Sequence, residues 1–417
     1  MKIKILFIVI FLVNINLSYS SQRKQELAIS IDHAMKVASE QSLLMCKTLK
    51  DKPGLLPRTI DKNGKLMTSD SRWWCSGFFP GVLWYLYEYS GKNEIKDQAE
   101  LFTKRVEREK FTTTNHDVGF MIYCSFGNGY RLTGNQDYKN VIETACNSLS
   151  TRYNDKIKSI KSWDFIENDW QFPVIIDNMM NLEMLLWGSK QFNNNYFRTI
   201  AVNHANTTQK YHFRDDYSCY HLVSYDTLTL KPEFKRTYQG ASDSSSWARG
   251  QAWALYGYTV MYRETKNLKY LDLARHIAQF IIHNPNLPKD KIPYWDFNAP
   301  NIPNEERDAS AAAIMASALI ELSSYVDKME CREYMNVVET QLSTLCSDEY
   351  LANPGTNGNF ILKHSVGSKP HQDIAPYFGE VNVPLTYADY YFVEALVKYK
   401  KYKSNNALFS QVHKTIH

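Results

Sequence analysis

The sequence predicts an all-α fold, a closed double ring of helices in the form of an (α/α)6 barrel of six helical hairpins. Three observations carry that prediction. Helical periodicity runs through nearly the whole chain. Alternating strand patterns are scarce, and Thr227 to Leu230 before Pro232 offers at best a short hairpin. One joint between helices also recurs along the chain, as repeated helix pairs require. An open superhelix is the alternative arrangement of the same pairs.

Taken in order, residues 1–20 stand apart from that fold. Lys2 and Lys4 precede an unbroken apolar stretch, Ile5 to Val13, that is too short to span a bilayer. Ser18-Tyr19-Ser20 places small residues where a signal peptidase cuts. A secretory signal cleaved near Ser20 is expected, with residues 21–417 as one domain. No Cys follows the cleavage region, so the lipoprotein form is not expected. Export across an inner membrane into a bacterial periplasm fits the cysteine usage. The seven cysteines are scattered without CxxC spacing and read as mostly buried free thiols.

Helical pattern then covers about residues 24–49, 77–90, 93–107, 116–132, 136–152, 173–191, 194–211, 247–265, 268–284, 307–326, 329–346 and 384–402. The joints are Tyr89 to Ile95, Tyr130 to Tyr138, Tyr262 to Tyr270 and Tyr325 to Tyr334, with Trp187 to Tyr196 a looser copy. In each, an aromatic ends one helix, a short polar turn follows, and an aromatic or apolar residue opens the next. Short joints force antiparallel neighbours. If alternate helices are inner ones, the inner helices run parallel and their N-termini meet at one rim. Those starts lie near Gly77, His116, Pro173, Trp247, Arg307 and Pro384.

Composition narrows the function. A formal charge of +4 on 417 residues is too balanced for a nucleic-acid binder, and no Gly-rich phosphate loop is present. No later segment is long and apolar enough to be expected as a membrane span. Aromatic residues at 14% are the departure from an ordinary composition. Surplus Trp and Tyr either fill a core or build stacking platforms for sugar-like ligands.

The unusual residues gather at the inner-helix starts. Trp73-Trp74-Cys75-Ser76-Gly77-Phe78 offers Trp74 or Phe78 as a stacking face, or else a core wedge. Asn115-His116-Asp117 reads either as a helix cap or as a carboxylate held in a cleft beside a histidine. Phe172-Pro173-Val174-Ile175-Ile176-Asp177 places Pro173 at the first helical position and Asp177 in an otherwise apolar helix start. A carboxylate among Ile175, Ile176, Met179 and Met180 is costly unless paired or functional. Desolvation and a second nearby carboxylate would both raise its pKa, which keeps an acid protonated near neutral pH. Trp247-Ala-Arg249-Gly-Gln-Ala-Trp253 puts a guanidinium on the face of an indole, suited to a carboxylate on a ring that stacks, or else to an internal Asp. Trp163, His221 and Gln239 lie in loop-like surroundings between these motifs.

Taken together, Trp74-x-x-Gly-Phe78, His116-Asp-Val-Gly-Phe, Ile-Ile-Asp177-Asn-Met-Met-Asn-Leu, Tyr-His221, Trp247-Ala-Arg-Gly-Gln-Ala-Trp253, Arg307-Asp-Ala-Ser-Ala-Ala-Ala and Tyr387-Ala-Asp-Tyr-Tyr-Phe resemble the unsaturated glucuronyl hydrolases of glycoside hydrolase family 88. The match spans about residues 25–402. It implies an (α/α)6 barrel with no metal and no cofactor. It also implies removal of a 4,5-unsaturated uronate from oligosaccharides left by polysaccharide lyases, by hydration of the C4=C5 vinyl ether rather than direct displacement. On this resemblance Asp177 is the general acid/base, and Asp117 the second carboxylate that positions the sugar. His116, His221, Gln239, Arg249 and Trp253 hold the unsaturated uronate, with Trp74, Phe78 and Trp163 as aromatic walls.

Two departures bear on substrate choice. Lys363-His-Ser365-Val-Gly-Ser368-Lys369 resembles the Lys-x-Ser-x-Lys pattern that meets a sulfated hexosamine in some members, but Gly367 stands where the second Lys would be. Ser365, Ser368 and Lys369 keep sulfate-binding chemistry on a Gly-containing turn, so a sulfated glycosaminoglycan disaccharide is the expected preference. The stretch Pro370 to Asn382 is longer than the family pattern. Two alternatives remain at this point. One is an unsaturated rhamnogalacturonyl hydrolase on the same fold, disfavoured by Gln251-Ala252 within the Trp247 motif. The other is a non-catalytic periplasmic glycan-binding protein. The expected partner is the oligosaccharide alone, bound by a monomer.

Overall fold

The structure, a computed structural model, describes residues 2–164 and 170–414. Met1 of the expected signal lies outside the described residues. The first helix, α1, runs Lys2–Thr48 without a break, so the expected boundary near Ser20 falls within it. Among the described residues no helix is long and apolar enough to cross a membrane.

After α1 come the strands β1 (Leu56–Ile60) and β2 (Leu66–Ser69) and the helices α2 (Phe78–Ser90) and α3 (Asn93–Lys104). A wide π-helical segment, Gly119–Gly127, continues as α4 (Asn128–Thr133), and α5 (Gln136–Ser150) follows. Next are β3 (Tyr153–Asn154), β4 (Ser159–Ile160) and β5 (Phe172–Ile175), then a 3-10 turn, Ile176–Asn181, leading into α6 (Leu182–Gln191). The chain goes on through α7 (Asn195–Tyr211), β6 (Leu222–Tyr225), β7 (Pro232–Arg236), α8 (Ala248–Thr265) and α9 (Leu268–Ile282). The last elements are α10 (Ala309–Leu322), α11 (Lys328–Leu345), β8 (Ser365–Val366), β9 (Val381–Val383) and α12 (Thr386–Lys414).

The inner ring passes from α2 to the 119–133 segment, the 176–191 segment, α8, α10 and α12, and α12 packs back against α2. That closure makes an (α/α)6 barrel and excludes the open superhelix. The inner helices are buried along most of their length, α10 almost wholly apolar and α8 burying Ala248 to Met261 without a break. The outer helices α3, α5 and α9 bury one stripe each, as half-exposed amphipathic helices do.

The joints seen in the sequence are the inner-to-outer turns. Gly91 and Gly134 sit at φ 66° and 68°, and their N–H groups close the preceding helices onto Tyr87 and Tyr130. Asn135, Asn194, Asn267 and Asp327 then cap the outer helices with their side chains. These short turns make one rim, the rear. Every outer-to-inner connection is long, and the four small sheets found among the described residues lie in such connections. The long loops therefore crowd the opposite rim, the front, where the inner helices begin.

One expected helix start is overturned. Residues 172–175 are a strand, not the first turn of a helix, because β5 pairs antiparallel with β6 in the order β5-β6-β7. Pro173 is tolerated since β5 is an edge strand. The hairpin expected around Thr227 to Leu230 is the turn that joins β6 and β7. All seven cysteines are free thiols; Cys331 is half-buried and the rest are buried.

Candidate active site

The front rim brings Asp117 and Asp177 together through a polar knot centred on Ser162. The Ser162 carbonyl accepts the backbone N–H of His116 at 3.1 Å and faces its Nδ1 at 3.2 Å. The Ser162 hydroxyl accepts the N–H of Ile175 at 2.9 Å, just ahead of the turn that carries Asp177. Asn178 Nδ2 donates to Ile160 O at 2.8 Å. Asn181 Oδ1 accepts the Phe120 N–H at 3.0 Å, which ties the two aspartate-bearing segments to each other. They approach so closely that a Cβ on Gly119 would stand 2.6 Å from Asn181 Oδ1 and 2.8 Å from its Cα. Only glycine fits there.

Asp117 is oriented by its neighbours in sequence. Asn115 Oδ1 accepts its N–H at 2.9 Å, a local turn rather than a helix cap. A carbonyl can only accept, so His116 carries a proton on Nδ1. Its Nε2 then lies 3.1 Å from Asp117 Oδ1 without hydrogen-bond alignment, an electrostatic contact.

Asp177 is 7% exposed. Burial pushes its carboxyl up from 3.8 to about 6, the electrostatic influence of His116 and Arg249 opposes that, and the charge on Asp117 adds to it. His221 faces it. The His221 Nδ1 accepts two backbone N–H groups, from Tyr238 at 2.9 Å and Gln239 at 3.1 Å. Its proton is therefore on Nε2, which lies 3.7 Å from Asp177 Oδ2. Burial, and next the charge on Arg249, hold His221 well below its ordinary pKa, so it stays a neutral donor. Asp177 Oδ2 and His221 Nε2 are both buried and, among the described residues, have no hydrogen-bond partner. Two polar atoms left open opposite each other in a desolvated site are what a substrate or a water would complete.

A cavity of about 330 Å³ opens at Asp117, lined also by Trp73, Trp74, Trp163 and Tyr377; Asp177 and His221 lie outside its lining, with Trp163 between the cavity and His221. Trp163 packs on Tyr238, Trp170 and edge-on to His221. The long loop after β8 closes one side: Tyr377 packs edge-on to Trp73, and His371 stacks on Tyr238 at 4.1 Å. Arg58 lies 3.9 Å from the Trp73 ring centroid and bonds Glu380 and the Pro376 carbonyl, which anchors that loop. Among the described residues no group of three or more His, Cys, Asp or Glu side chains could hold a metal.

No family model matches the chain. An unsaturated glucuronyl hydrolase of Formosa agariphila is 49% identical over 327 residues, 78% of this chain and 80% of that protein. The chain belongs to the unsaturated glucuronyl hydrolases. An unsaturated chondroitin disaccharide hydrolase of Streptococcus agalactiae is 30% identical over 351 residues, 83% of this chain and 85% of its own. The crystal structure of an unsaturated glucuronyl hydrolase specific for heparin superposes with a TM-score of 0.86 at 47% identity, covering 90% of this chain and 98% of that one. This unsaturated glucuronyl hydrolase is thus a glycoside hydrolase, which removes the binding-protein alternative.

Several side chains expected around the sugar do not line this cavity. Phe78 and Trp253 are fully buried core residues packed on Phe120 and Tyr391, beneath Trp74 rather than in the cavity. Arg249 lies over Trp247 and Tyr387, pairs with Asp308 at 3.2 Å, and donates to the carbonyls of Val366 and Gly367. Asp308 is thus the charged partner of this guanidinium within the fold. Gln239 donates to the same Gly367 carbonyl at 3.0 Å. The expected anion cradle is not formed either. Ser365 and Ser368 are fully buried, Ser368 is bonded with His371 at 2.8 Å, and Lys369 is paired with Glu305 at 2.7 Å. Sequence reasoning missed Ser162, Asn178, Asn181, Tyr238 and Tyr377. Only the asparagines left a signal, as amides interrupting the apolar run after Asp177.

Proposed function

We propose that this hydrolase removes the 4,5-unsaturated uronic acid from the non-reducing end of glycosaminoglycan oligosaccharides released by polysaccharide lyases. The observation that carries the reading is Asp177, a desolvated carboxyl raised to about 6 with one oxygen open toward His221 and the site. A protonated Asp177 gives its proton to C4 of the C4=C5 bond. Water adds at C5 and surrenders a proton to the carboxylate, which restores the acid. The hemiketal at C5 opens to a ketone, and the hemiacetal left at C1 expels the aglycone. His221 Nε2–H faces Asp177 across 3.7 Å and is open to donate to the water or sugar between them. Asp117 and His116 position the ring, Trp74 and Trp163 wall the cavity, and Arg249 and Gln239 act at one remove by fixing the Gly367 backbone. Heparin and chondroitin are the substrate sources in keeping with the relatives' activities.

Selection for sulfate by Ser365, Ser368 and Lys369 is not part of the proposal, since His371 and Glu305 already occupy two of the three. The deciding experiment follows loss of the ultraviolet absorbance of the C4=C5 uronate on lyase-digested heparin and chondroitin disaccharides. Bleaching that Asp177→Asn abolishes supports the reading; unsaturated rhamnogalacturonyl substrates turned over in preference would replace it. Residues 1–20 are proposed as an export signal on the strength of Lys2, Lys4 and the Ile5–Val13 stretch. N-terminal sequencing of the mature protein, expected to start near Ser21, tests that. A single mass peak at the monomer in light scattering tests the proposed monomer.

A further inference from the structure

A second cavity, of about 300 Å³, enters the barrel from the rear rim. It is framed by Arg131, Trp187 and Arg263 in the C-terminal parts of α4, α6 and α8, and by Lys398 midway along α12. Its inner end reaches Gly119 and Met180, which follow Asp117 and Asp177 in sequence by two and three residues. The cavity thus lies behind the segments that carry the two aspartates, and nothing in the reaction derived above uses it.

Its walls combine aromatic faces with hydrogen-bonding groups. Trp187 is half-buried, and its plane is fixed by near-perpendicular contacts with Tyr130 at 5.4 Å and Phe192 at 5.7 Å. Tyr123 packs at 5.9 Å on the same indole. A platform locked in this way loses little entropy when a ring stacks on it. Glu183, one turn before Trp187 on α6, and Glu394 on α12 add carboxylates to the lining. Glu394 accepts hydroxyls from Tyr85 at 2.8 Å and Tyr256 at 3.0 Å, and also from Ser317.

The charges decide the class of ligand. Arg131 is held by both oxygens of Glu88, at 2.8 and 2.7 Å. Arg263 pairs with Glu183 and Glu321. Lys398 lies 3.2 Å from Glu321 and 3.6 Å from Glu394. Each cation of the lining already has its carboxylate, so an ionic ligand would have to break an existing pair. A neutral ligand with an apolar face and a rim of hydroxyls breaks none. It can stack on the indole, donate to Glu183 and accept from Lys398. We propose that the rear cavity is a second saccharide site that takes a neutral pyranose, distinct from the cavity that holds the unsaturated uronate. A volume near the lower end of small-ligand pockets suits one sugar ring rather than a chain.

Calorimetric titration of the full-length enzyme with N-acetylglucosamine tests this. Saturable binding with a Kd on the order of 1 mM is expected. Trp187→Ala should weaken it by about tenfold or more, as loss of a stacking contact does. Trp163→Ala, at the front cavity, should leave it unchanged. Loss of binding in Trp163→Ala with retention in Trp187→Ala would place the sugar at the front and overturn the proposal, as would the absence of saturable heat. Should Trp187→Ala not fold, crystals of the unaltered enzyme soaked in the same sugar decide. An ordered pyranose stacked on Trp187 within the rear cavity supports the site, and an empty rear cavity refutes it.

Discussion

Replacing Asp177 by Asn should abolish turnover and, near neutral pH, stabilise the protein. The buried carboxyl titrates at about 6 in the fold against 3.8 in the unfolded chain. Between those values the native state binds more protons than the unfolded state, so stability falls as pH rises through the window. The separation of about two units corresponds to about 3 kcal/mol, a loss that is absent below the unfolded pKa and complete above about pH 7. The amide has no such titration, so the variant escapes that loss. Urea denaturation followed by tryptophan fluorescence, at about pH 4 and about pH 7.5, measures the difference through the midpoint and slope. The stability of the Asp177→Asn variant relative to the unaltered enzyme should grow by roughly 2–3 kcal/mol across that range. Activity should drop by about 10²–10⁴ or more, the usual cost of losing a general acid. A stability difference that is the same at both pH values would show that Asp177 is not the desolvated acid, and the proton assignment would fall with it.

In the unaltered enzyme, kcat/KM should decline as pH rises through about 6, where Asp177 loses its proton. Asp117→Asn should move that limb downward by less than about one unit, because burial outweighs the Asp117 charge; a limb that does not move, with activity intact, refutes the pairing. Gly119→Ala drives a methyl into Asn181 and should cost about 1–3 kcal/mol of stability together with activity, measured by thermal melting and the absorbance assay. Asp389 accepts the N–H groups of Ile361 and Leu362 at 2.9 and 2.8 Å, so Asp389→Ala should destabilise by about 2–4 kcal/mol while the kcat of folded enzyme persists. Ser365→Ala with Ser368→Ala should leave the ratio of kcat/KM for sulfated and unsulfated disaccharides unchanged; a narrowed ratio would restore those hydroxyls to the substrate.

Much of this molecule was legible in its residues. The helical period located the segments, because burial of one stripe writes itself into the sequence every three to four residues. The aromatic-turn-aromatic joints foretold antiparallel pairs, and their physical basis is a left-handed residue such as Gly134 followed by a capping Asn135. Asp177 stood out because a carboxylate among Ile and Met residues has no local reason to be there. What the sequence could not decide is which partner each group takes across the ring. The helix expected from Pro173 became β5 because Leu222–Tyr225, some fifty residues on, offers a ladder that local pattern does not see. Arg249 could pair with any of several aspartates, and the packing of α8 against α10 selected Asp308. Trp74, Phe78 and Trp253 are equally apolar, yet only Trp74 reaches the cavity, since the depth of a ring depends on the helices around it. Local pattern reports what a residue needs buried or bonded, and the tertiary structure alone selects the distant group that meets the need.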